Sequence, residues 1–145
     1  MSATAGQAAD GVRSLADRFG IEPGMVVMEM GYDDDVDHDL RDALTDRCGE
    51  LVEEDTDEVV DAVLVWYRDG DGDLFELLVD ALGPLADNGV VWLLTPKAGR
   101  EGHVEPSEIA ESAPTAGLQQ TSTVNAGRDW SAARLVLRRG AKSKK

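Results

Sequence analysis

"VVMEMGYDDDVDHDL", residues 26–40, decides how the rest of the chain is read. Its first half belongs to an apolar run, Met25 to Met30, bounded by Gly24 and Gly31. A short apolar run closed by glycines fits a strand buried on both faces, as in a parallel sheet. Beyond the turn, Val36, Leu40, Ala43 and Leu44 recur at helical spacing, and Asp33, Asp34 and Asp35 fall where a helix start favours negative charge. Much of the aspartate run is therefore expected to serve as capping. Strand, turn and helix make the first half of a βα unit, which argues for an α/β fold.

The flanking sequence extends that pattern. Upstream, "VRSLADRFG" puts Val12, Leu15 and Phe19 at helical spacing and closes on Gly20. Downstream, "ELVEED" is a weak second strand, "DAVLVWY" (61–67) a strong third, and "RDGDGD" a turn. From Asp73, the stripe Leu74, Leu77, Leu78, Ala81 and Leu82 predicts a helix closing with Pro84 and an Asn88-Gly89 stop. "VVWLLTP" (90–96) reads as another buried strand. "EPSEIAESAPTAG" reads as a short helix with Pro106 in its first turn and Pro114 near its end. "LQQTSTVNAG" and "SAARLVLRR" then form two strands around a turn containing Gly127. The prediction is a three-layer α/β sandwich, its sheet mostly parallel, with a C-terminal antiparallel hairpin at the edge. A ligand of such a sheet sits beyond the carboxyl ends of the strands, here near Gly31, Arg68 and Thr95.

The chain has 145 residues, enough for one domain that needs no staple. Residues 1–11 read as a disordered leader, 12–139 as the domain and 140–145 as a basic disordered tail. Cys48, the only cysteine, excludes an internal disulfide and reads as a small core residue. With no apolar run of membrane-spanning length and no signal peptide pattern, a cytoplasmic location is expected. The net charge is -15, and residues 134–145 hold 6 of the 14 bases and none of the 29 acids. From Asp33 to Asp61, 14 acids face only Arg41 and Arg47. Such a surface repels phosphate backbones and anionic lipid, so nucleic acid is expected to touch only the tail, weakly.

The order of elements resembles the core of S-adenosylmethionine-dependent methyltransferases, a Rossmann-like fold. The likeness is carried by "PGMVVMEMG", "DAVLVWY", "LADNGVVWLLTP" and the final hairpin, over about residues 15–139. More specifically, "IEPGMVV", "DNGVVWLLTPKAGR" and "DWSAARLVLRR" are similar to the actinobacterial domain-of-unknown-function family 3052. The methyltransferase pattern implies an acid and then alternating glycines after the first strand. Glu29 and Gly31 match, while Asp33 and Asp35 stand in place of the next two glycines. The resemblance also implies an acid that holds ribose hydroxyls at the end of the second strand, for which Glu53, Glu54 and Asp55 are available. Where methyltransferases acting on amino groups often place an Asn or Asp, two prolines and an aromatic, this chain has "WYRDGDGD".

Other chemistries find weaker support. "DGDGDLFELLVD" alternates Asp69, Asp71 and Asp73 but has Leu74 and Asp80 where a calcium loop needs Gly and a bidentate acid; a turn opening a helix is expected. Asp33, Asp35, Asp37 and His38 point in different directions on a helix, so no metal site is expected. His38 and His103 lie outside metal-spacing motifs, and neither a Gly-x-Ser-x-Gly elbow nor a Walker loop is present. Trp66 and Trp92 are expected in the core and Trp130 partly exposed. The reading is a non-catalytic Rossmann-like module without a cofactor that binds a protein with a basic surface through Asp33, Asp34, Asp35, Asp37 and Asp39. The alternative is a sensor of small molecules or cations, or a divergent methyltransferase-like enzyme, built on Glu29, Gly31, Asp33, Asp35 and Glu54. The edge hairpin leaves pairing with a second copy open.

Overall fold

The structure, a computed structural model, describes residues 16–48, 51–53 and 57–137. The elements are β1 (Val27–Met30), α1 (His38–Cys48), β2 (Leu51–Val52), β3 (Val60–Trp66), α2 (Leu74–Leu82), β4 (Leu85–Pro96), α3 (Pro106–Thr115), β5 (Leu118–Asn125) and β6 (Trp130–Leu137). The strands form one sheet in the order β2-β1-β3-β4-β6-β5. Pairing is parallel from β2 through β4 and antiparallel from β4 to β6 and β5. The second strand of the hairpin is thus the inner one. The expected leader, the start of the upstream helix, Glu54, Asp55 and the basic tail lie outside the described residues.

Strand alternation divides the core in two. On one face Met28, Met30, Val63, Val65, Val91, Leu93 and Leu135 pack against Leu74, Leu78 and Ala81 of α2 and Ile109 and Ala113 of α3. On the other, Val27, Leu64, Trp66, Trp92, Leu94 and Trp130 pack against Leu40 and Leu44 of α1 and against Ala16, Phe19 and Ile21. The three layers follow from this period-two division, because each face must be covered by an apolar stripe. Each fully buried large side chain contributes about 1.5–3 kcal/mol. Trp92 also anchors the N-terminal segment, donating from Nε1 to the Phe19 carbonyl at 3.0 Å while the two rings approach to 4.4 Å.

Four expectations need correction. The aspartate run does not cap α1: Asp37 does, accepting from the Leu40 amide at 2.8 Å, because Asp33 to Asp35 lie in the preceding turn. The helix opened by Asp73, whose side chain accepts from the Phe75 amide at 3.0 Å, ends at Leu82 rather than running to Asn88. Pro84 cannot continue a helical ladder, and Leu85 pairs with Val60 before a register shift brings Val90 opposite Ala62. Trp130 is buried, its ring edge-on to Trp66 with centroids 4.9 Å apart. Cys48 is half-buried at the edge of the core.

Order reverses at β1, which sends the chain to β2 on one side and to β3 on the other. Gly31 ends β1 at this switch point with φ 79°, and a Cβ there would overlap the Trp66 carbonyl oxygen. Gly31→Ala is expected to lower stability by about 2 kcal/mol or more, combining a left-handed backbone with a clash against β3. Gly70→Ala, with φ 99° but open space around its Cβ, should lose only the backbone part. Urea unfolding of both variants measures the difference.

Candidate functional site

Open α/β sheets bind ligands in the crevice where strand order reverses, beyond the carboxyl ends of the strands. Here that crevice lies between the ends of β1 and β3. Two arginine–carboxylate pairs hold it together.

The first pair is Glu29 with Arg41. Glu29 sits in β1 with its side chain 9% exposed, and Arg41 comes from the first turns of α1. Arg41 donates from Nε at 2.6 Å and from Nη2 at 2.8 Å, and Trp66 Nε1 donates to the same carboxylate at 2.9 Å. The Arg41 guanidinium also lies 4.5 Å from the centre of the half-exposed Tyr32 ring. The hydrogen bond to Glu29 raises the Arg41 pKa, against the opposing effect of burial. Three donors converge on Glu29, and its first role is to hold α1 to β1 and β3.

The second pair is Asp35 with Arg68. Arg68 Nε and Nη2 reach the two carboxylate oxygens of Asp35 at 2.8 and 2.6 Å. Nη1 donates to the Gly31 carbonyl at 3.1 Å, the Trp66 carbonyl at 3.3 Å and Asp71 at 3.1 Å. The guanidinium lies 5.2 Å from the Trp130 ring centre, and Trp130 Nε1 donates to the Asp35 carbonyl at 3.0 Å. The Arg68 hydrogen bond depresses the Asp35 pKa, with burial opposing. Arg68 therefore ties together the turn after β1, the end of β3 and the start of β6.

The remaining acids do not converge. Asp33 accepts from the Asp34 amide at 2.7 Å, Asp37 caps α1, and the Asp34 carbonyl lies 3.3 Å from His38 Nε2. Asp33, Asp34 and Asp39 are exposed. Asp71 accepts from the Arg68 amide at 3.0 Å and Asp73 caps α2, so the "DGDGD" stretch is the polar turn expected. His103 is held through Nδ1, 2.9 Å from the Pro96 carbonyl.

Two depressions flank the pairs. One, of about 600 Å³, is lined by Asp35, Asp69, Asp71, Glu101 and Asp129 with Arg68 and Arg100. The other, a groove of about 480 Å³ on the β2 side, is lined by Glu29, Tyr32, Arg41, Leu51 and Glu53. The resemblance would place S-adenosylmethionine across this region, and the residues do not fit it. The Asp35 carboxylate and the Arg68 guanidinium are paired in the turn that would receive the amino-acid part of the cofactor, and Glu29 already accepts three hydrogen bonds. Gly31 serves the close approach of β1 to Trp66.

The candidates Glu29, Gly31, Asp33 and Asp35 thus share one turn, while Glu53 lies across the groove. What the sequence did not reveal is the part played by Arg41, Arg68 and Trp130. The available signal was the scarcity of bases: Arg41 is one of two in the acidic run, and Arg68 follows the strongest strand.

Arg68→Met should lower stability by about 1–3 kcal/mol, since carbonyls and carboxylates lose a shared donor. Asp35→Asn should cost about 1 kcal/mol or less, because the Asp35 side chain is 55% exposed and solvent screens it. The sign with pH follows from the depressed Asp35 pKa. Its contribution is complete above the unfolded value near 3.8 and is lost as pH falls through the lower folded value. Urea titrations between pH 2 and 5 should therefore show a shallower acid limb in Arg68→Met than in the native chain.

With the geometry in place, comparisons give the relationships. The pyocyanin biosynthetic protein PhzM superimposes with a TM-score of 0.62 at 13% identity, covering 89% of this chain and 55% of that one. The O-methyltransferase NcsB1 from neocarzinostatin biosynthesis, solved with S-adenosylmethionine and 2-hydroxy-5-methyl naphthoic acid, gives 0.60 at 13% identity over 79% of this chain and 49% of that one. The chain spans about half the length of these two, and the likeness is one of fold. Uncharacterized protein Rv2239c of Mycobacterium tuberculosis and uncharacterized protein Mb2263c of Mycobacterium bovis are each 57% identical over 130 residues, 89% of this chain and 82% of theirs. Residues 16–139 match the family described as "Protein of unknown function (DUF3052)", a span that contains every strand and helix described above, and the chain belongs to that family.

Proposed function

We propose that this chain is a non-catalytic, methyltransferase-like binding module of the cytoplasm that receives a basic protein partner at the carboxyl end of its sheet. The observation that carries this reading is the Asp35–Arg68 pair, which uses the switch-point crevice for internal cohesion. The pair commits the side chains of the turn after β1 to each other rather than to a cofactor and leaves the surrounding acids as the exposed chemistry. Asp35 and Asp37 are committed to Arg68 and to the α1 cap, so docking falls to Asp33, Asp34 and Asp39. Complementary charge steers association and sets partner choice more than it sets affinity. Among the described residues no helix is long and apolar enough to cross a membrane.

A second reading draws on the groove lined by Glu53 and Tyr32, which the two ion pairs leave open. There the protein would be a sensor for a small ligand rather than a docking module.

Thermal unfolding with S-adenosylmethionine or S-adenosylhomocysteine in large excess is expected to leave the melting temperature unchanged. A ligand at 100 times its dissociation constant adds about 2.7 kcal/mol, so a rise of several degrees would overturn the non-catalytic reading. Reversing charge at Asp33, Asp34 and Asp39 together is expected to remove a partner recovered with the native chain from its own cytoplasm. An unchanged set of partners would contradict the docking reading.

A further inference from the structure

One partly open cavity of about 220 Å³ is bounded by the end of β4, the loop that follows it, the start of α3 and the β5–β6 hairpin. Apolar walls come from Pro96, Val104, Ile109 and Ala133. Polar groups come from Thr95, Lys97, His103, Thr123 and Ser131. The other depressions described on this molecule are all lined by carboxylates, as a net charge of -15 would lead one to expect. This one has none, and carries a lysine and a histidine instead.

Thr95 adds a second observation. Among the described residues it is the one polar residue in the buried class, 6% exposed, at a strand position whose neighbours of like parity, Val91 and Leu93, are core. Its hydroxyl makes no hydrogen bond with any described residue. Since no fully enclosed side-chain nitrogen or oxygen among the described residues lacks a partner, the hydroxyl opens into the cavity. A nearly buried, unpaired hydroxyl is destabilising unless something in the cavity bonds to it.

His103 also lines the cavity. A carbonyl can only accept, so the 2.9 Å contact with Pro96 places a proton on Nδ1. Lys97 lines the cavity, and its Nζ donates to the Gly127 carbonyl at 2.9 Å, which leaves two ammonium protons for other acceptors. Hydroxyls and a lysine around a small, partly apolar cavity suit a ligand with one anionic end and one apolar end.

We propose that this cavity binds a small organic carboxylate, its carboxyl group directed at Thr95 and Lys97 and its apolar body against Val104 and Ile109. The volume lies below the roughly 300 Å³ at which sites for drug-sized ligands begin, so the guest is of benzoate size. The site is separate from the crevice and does not depend on the reading given for it.

The test uses benzoate and hexanoate as carboxylate probes, benzamide as the neutral counterpart of benzoate and benzylamine as its cationic one. Amide chemical shifts of the full chain, recorded during titration, should move for benzoate or hexanoate at Thr95, His103 and Ser131. Benzamide should bind at least about tenfold more weakly, and benzylamine not at all. Thr95→Val should weaken the carboxylate by about tenfold and at the same time raise the melting temperature of the free protein, because an unpaired hydroxyl is removed. A structural threonine would give the opposite sign in the melting experiment. The proposal is overturned if neither carboxylate moves these amides at millimolar concentration, if benzylamine binds as well as benzoate, or if Thr95→Val binds unchanged.

Discussion

The guanidinium of Arg68 is the contact on which the upper end of the sheet depends. It reaches the Gly31 and Trp66 carbonyls, two carboxylates and the face of Trp130, joining the ends of β1, β3 and β6. Burying an arginine is costly unless its charge and donors are satisfied, and here a bidentate carboxylate and two carbonyls satisfy them. The turn after β1 is shaped by that requirement. Asp35 must reach Arg68, Gly31 must let β1 approach Trp66, and Trp130 must close over the pair.

In this methyltransferase-like fold the turn after β1 is held by the chain's own side chains. In a parallel sheet the backbone carbonyls and the apolar side chains at the carboxyl end need cover, whether from a ligand or from the chain itself. The Glu29–Arg41–Trp66 cluster and the Asp35–Arg68–Trp130 cluster supply it from within. The two aspartates that stand in place of glycines are thereby part of the structure: Asp35 is an ion-pair partner, and Asp33 accepts from the Asp34 amide within the turn.

The architecture was legible in the sequence because its signals are local. Continuous apolar runs in β3 and the second half of β4, glycine after β1, aspartate before α2 and proline at the start of α3 each report on a few neighbouring residues. The errors arose where distant residues decide. Pro84 and Leu85 leave the helix because β3 offers a ladder partner, and Trp130 is buried because Trp66 and Arg68 meet it across the sheet. The candidate site was legible only in outline. Glu29, Gly31 and Arg68 were placed at the right end of the fold, but pairing partners 12 and 33 residues apart carry no sequence period that would join them.

The central claim is that Arg68 fills the switch-point crevice as a fixed part of the fold. The direct measurement is the side-chain nitrogen spectrum of Arg68, recorded with and without excess S-adenosylmethionine. A bidentate, carbonyl-bonded guanidinium should give a resolved Nε–H signal, slow exchange with water and no response to the added compound. An averaged, rapidly exchanging signal that shifts when S-adenosylmethionine is added would mean that the crevice is open, and would contradict the account.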